Sequence, residues 1–68
     1  MTNHARALTA RSTVVYYSQI KGNNSDDQDT QTDIVDLLCD LMHYATEGHI
    51  DFMDCLATAE MHFIAKTI

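Results

Sequence analysis

Proline and tryptophan are absent from this 68-residue chain, and glycine occurs only twice, at Gly22 and Gly48. With no proline, no residue removes a backbone donor or kinks a helix from within. Gly48 stands out as a natural helix stop, and Gly22 opens a polar linker. Cysteine is scarce as well. Cys39 and Cys55 each fall inside a predicted helix and are expected to be reduced thiols, small packing residues of a cytoplasmic protein. The N-terminus has no apolar run of seven residues, so no secretory leader is expected there. No apolar run reaches eighteen residues, which excludes a predicted membrane helix.

Positive charge is also scarce: four Lys and Arg stand against ten Asp and Glu, for a net charge of −6. The distribution is uneven. Residues 1–21 hold Arg6, Arg11 and Lys21 and no acid; residues 22–68 hold every acid and only Lys66. Direct nucleic-acid binding by the acidic body is disfavoured, because phosphate contact needs cations. A larger protein with a basic surface is the favoured partner. The chain lacks HExxH, CxxC and any glycine-rich phosphate loop, so no cofactor and no catalytic residue is assigned.

The strongest positive signal is Asp33–Gly48, DIVDLLCDLMHYATEG. At about 100° per residue, Ile34, Leu38, Leu41 and Ala45 share one line, flanked by Val35, Met42, Leu37 and Tyr44. That is the wide apolar arc of a core helix. Thr32 is the expected N-cap and Gly48 the expected left-handed stop. A second helix follows after a connection of about three residues, with Asp51 as N-cap, Asp54 three residues on, and Ile50 available to pack on Cys55. Its predicted inner face is Phe52, Leu56, Ala59 and Phe63, with Ala59 allowing close approach. So short a connection predicts antiparallel neighbours.

The rest is arranged around this hairpin. Residues 1–21 read as a basic arm, frayed over 1–11. A short helix (or an edge strand) over 12–21 docks through Val14, Tyr17 and Ile20. Residues 22–31 contain no apolar residue and read as an acidic polar linker; residues 32–68 form the hairpin. The expected class is all-α, one domain, with a core small enough that a staple or a partner is expected.

Opposite the apolar arc lies an acidic line, Asp29, Asp33, Asp36, Asp40 and Glu47, at steps of three, four or seven residues. Neighbouring carboxylates on such a line stand about 5–6 Å apart. The line is either an ordinary solvated face or a mimic of a phosphate backbone presented to a cationic groove. Tyr16 and Tyr17 are candidate interface anchors, with one packed and the other exposed as the plainer reading. Glu60 falls beside the apolar arc. It calls for pairing with Arg6, Arg11 or Lys21, for exposure at the boundary, or for a second chain against that face. A metal would need His43 and His62 to converge, since Cys55 and His62 lie roughly 10 Å apart along their helix.

The hairpin text, DLLCDLMHYA from Asp36 and GHIDFMDCLATAEMHF from Gly48, resembles short bacterial proteins, many carried by phages, plasmids and other mobile elements. The positions that carry this include Asp40, His43, Gly48, Asp51, Phe52 and His62. The resemblance covers about half the chain and implies a helical hairpin but no activity. In size and acidity the chain is also similar, as a class, to small phage inhibitors such as anti-CRISPR proteins. The expectation is a non-enzymatic interaction module, an inhibitor with an acidic helix face; the alternatives are a self-associating homodimer and a small metal-binding or catalytic domain.

Overall fold

The computed structural model describes residues 2–22 and 29–67. Among these residues the chain is all-α, with α1 over Asn3–Ile20, α2 over Thr30–Glu47 and α3 over Phe52–Thr67, and no strand. Most of the expected linker, residues 23–28, lies outside the described residues.

The N-terminal arm is more ordered than its sequence suggests. In place of a frayed end and a short helix there is one helix of 18 residues. Thr2 starts it, its Oγ1 accepting from the Ala5 N–H at 3.0 Å. The alanine-rich first turns are strong helix formers. Once they nucleate, propagation carries the β-formers Val14–Tyr17 along, because each added residue gains a hydrogen bond. The hydroxyls of Thr9, Ser12 and Thr13 donate to carbonyls four residues back. That bonding keeps these polar side chains on the helix instead of competing with it.

The start of α2 also differs. Asp29, not Thr32, is the N-cap: its carboxylate accepts from the Gln31 N–H and from the Thr32 hydroxyl, each at 3.0 Å. A carboxylate satisfies an orphan donor and meets the positive end of the helix dipole together, which a hydroxyl cannot. At the other end Gly48 does stop the helix, but at φ −86° it is not left-handed. The left-handed residue is His49, at φ 58°. The His49 N–H donates to Thr46 O at 3.2 Å and the Ile50 N–H to Ala45 O at 2.8 Å. These are the two bonds of a Schellman turn, with histidine where glycine is usual. Asp51 then caps α3 as its spacing predicts, accepting from the Asp54 N–H at 3.1 Å.

Helix α1 packs on α2, and α2 on α3. The result is a slab of 35 × 32 × 16 Å with a radius of gyration of 13.6 Å. A compact chain of this length has a radius near 11 Å. The burial pattern overturns the expected orientation of α2. Asp33 is buried, only 4% exposed, whereas Ile34, Val35, Leu38, Leu41 and Met42 are 41–56% exposed. From the predicted apolar line only Ala45 is buried. The Tyr17 hydroxyl of α1 and the ammonium of its C-cap Lys21 donate to Asp40, and such donors favour the acceptor-rich side of α2. On α1 itself Val14 and Tyr17 are half-buried as expected, but Ser18 is buried and Ile20 is exposed. On α3 Phe52 is half-buried, while Leu56, Ala59 and Phe63 are exposed. Both thiols are free and exposed, not packed.

Candidate interaction surface

The five acids of the predicted line have separate tasks. Asp29 is the cap described above, and Asp33 is buried with interaction partners of its own. Asp36 is half-buried, and its charge reaches Tyr17. Asp40 receives the Tyr17 hydroxyl at 2.5 Å and the Lys21 ammonium at 3.2 Å, both on one carboxylate oxygen. Glu47 is exposed at the end of α2. The continuous, solvated row of carboxylates expected from the periodicity is therefore not formed, because α1 covers its middle.

The Tyr17–Asp40–Lys21 cluster explains how an acidic face can be an internal seam. The acidic body holds a carboxylate, and the basic arm supplies the two donors. Lys21 Nζ also lies 5.9 Å from the centre of the Tyr17 ring, within reach of a cation–π attraction. Partial burial and then the bond to Asp40 push the Tyr17 hydroxyl up to about 12. The same bond, followed by Lys21, holds the Asp40 carboxyl below the usual range. The two tyrosines divide as the plainer reading has it: Tyr17 turns inward and Tyr16 is 65% exposed.

What faces water instead is apolar. Ile34, Val35, Leu38, Leu41 and Met42 on α2 are joined by Tyr44, and on α3 by Met53, Leu56, Met61 and Ile64. No large side chain among the described residues is fully buried. The ionic partners expected for Glu60 do not reach it; it is exposed, and the ion pair formed among the described residues is Lys21–Asp40. No group of three His, Cys, Asp or Glu there is placed to hold a metal ion. Among the described residues no helix is long and apolar enough to cross a membrane.

No protein-family model matches this chain, and neither a curated protein nor a solved structure matches it significantly.

Proposed function

We propose that this chain is a non-enzymatic interaction module whose working surface is the exposed apolar side of α2 and α3, and whose first partner is a second copy of itself. One observation carries this reading. The chain exposes 5778 Å², whereas a monomeric protein of 7.7 kDa exposes about 4,300 Å². The excess is about 1,450 Å² over the whole chain, exposed α1 side chains included, against the roughly 800 Å² that each side gives to a standard interface. Two copies that each covered between half and all of it would bury about 1,450–2,900 Å², from a standard interface up to an obligate homodimer. The composition of the face agrees: Leu, Ile, Met and Tyr with few charges are what a dimer core collects. A four-residue connection, 48–51, suits an antiparallel hairpin of α2 and α3, with its apolar side presented to the partner copy.

Exposed Glu47, Asp51, Asp54 and Glu60 then form an acidic rim. The rim keeps the assembly soluble and gives it a bias toward basic partner surfaces. Inhibition of a larger cationic protein is compatible with that rim and moves the contact away from Asp33 and Asp40. Sedimentation equilibrium in the low micromolar range tests the central point. A mass of two chains or more is expected; a single-chain mass with undiminished helix content overturns it.

A further inference from the structure

Between α1 and α3 lies a cleft of about 520 Å³. Asn3, Arg6, Ala7 and Ala10 line it from α1; Ala59, His62, Phe63 and Lys66 line it from α3. Both sets follow the same spacing of three, four and seven residues, so each helix contributes one continuous stripe. Their register is fixed at one end, where Asn3 Nδ2 donates to the Lys66 carbonyl at 2.8 Å. That bond puts the Lys66 end of α3 beside the first turn of α1, where Arg6 lies about one turn on. The cations Arg6 and Lys66 thus lie toward the tied end, while Ala10 and Ala59 each lie about two turns from it along their own helices.

Two features make this arrangement unusual for so acidic a protein. None of the acids among the described residues lines the cleft, although it holds two of the four Lys and Arg. Neither Arg6 nor Lys66 has an acid partner among the described residues, where Lys21–Asp40 is the ion pair formed. The volume lies within the range of about 300–1,000 Å³ typical of small-molecule sites. A guanidinium offers paired donors that match a carboxylate, and an ammonium adds a further charge-assisted bond. The three alanines leave room for an unbranched hydrocarbon body.

We infer that this cleft binds a free amphipathic carboxylate, its head on Arg6 and Lys66 and its apolar body along Ala7, Ala10 and Ala59. The site is separate from the association surface, and it does not rest on that reading. The test is a titration of the full chain with octanoate, followed by amide chemical shifts, beside octylammonium, which has the same body and the opposite charge. Saturable shifts confined to residues 3–10 and 59–66, with octanoate only, are expected. Replacing Arg6→Gln and Lys66→Gln together is expected to weaken octanoate by at least about tenfold at unchanged helix content. A second variant, Ala10→Leu, fills the apolar end and is expected to block octanoate with both cations in place. Equal binding of octylammonium, shifts scattered over the molecule, or affinity for anionic vesicles without affinity for monomeric octanoate would overturn the assignment.

Discussion

The two helix seams are built on opposite principles. Where α1 meets α2 the contact is polar and directional: Asp40 holds Tyr17 and Lys21, and the buried residues Ser18 and Asp33 on these helices are polar too. Where α2 meets α3 the fixed elements are the turn at His49 and the small buried Ala45, while the long apolar side chains around them remain exposed. Hydrogen bonds specify which surfaces meet, because a buried donor without an acceptor is costly. Apolar contact is the larger source of stability but has no direction. The first seam is complete within one chain. The second leaves its hydrophobic surface uncovered, and that is where the proposed second copy would bind.

The largest expected effect comes from spoiling the uncovered side. Leu38→Glu with Leu41→Glu puts charge at the centre of the proposed interface and should weaken self-association by about 2 kcal/mol or more, roughly 30-fold. The seam between α1 and α2 should survive, because neither leucine takes part in the Asp40 cluster. Sedimentation together with hydrogen exchange of the α1 amides checks both halves of the statement.

A smaller effect follows from breaking the polar seam. Asp40→Asn removes the charge that holds Tyr17 and Lys21. It should lower the melting temperature by a few degrees and deprotect the C-terminal half of α1, with α3 unchanged. The tyrosine that titrates at about 12 should move back toward 10.0, as read by ultraviolet difference spectroscopy. In the unaltered protein the signs are fixed by linkage. The Asp40 carboxyl is held low, so its contribution is complete above the ordinary 3.8 and is lost as pH falls below that value. The Tyr17 hydroxyl is held high, so its contribution is complete below 10.0 and is lost as pH rises toward about 12. Exchange protection in α1 should therefore fall at both extremes and hold between them.

The smallest effects separate the two helix ends. At the end of α1 the left-handed position is filled by Gly22, at φ 81°, whose N–H reaches Gln19 O at 3.1 Å. At the end of α2 it is filled by His49, with the glycine one residue too early. His49→Gly should stabilise by up to about 1 kcal/mol, and Gly22→Ala should destabilise by about as much, because only glycine occupies this region without a steric cost. Gly48→Ala should be neutral to slightly favourable: its φ is ordinary, and an added Cβ would lie 3.5 Å from Tyr44 O, a normal contact. Chemical denaturation of the three variants ranks them.

These ends also mark what could be read from the residues. The stop after Glu47 was legible because glycine there is conspicuous. Which of two adjacent residues turned left-handed was not, because that depends on which carbonyls the next two N–H groups reach. Asp51 was legible as a cap, since the donor it serves is three residues away. The helix over 3–11 was not, because its polar, unpatterned surface carries no signal of what it packs on. The spacing of the acids was legible, but the burial of Asp33 was not. Periodicity shows which residues share a face, but it does not say which face a neighbour takes. Only the donors on Tyr17 and Lys21, some twenty residues away, decide that.

A slab that spans 16 Å in its thin direction against 35 and 32 Å in the others leaves little depth for an interior, since a helix with its side chains already measures about 10–12 Å across. So thin a chain buries little beyond Ser18, Asp33 and Ala45 by itself, and in the proposed assembly most of the apolar burial would come from the second copy. The melting temperature of the chain should then climb with its concentration.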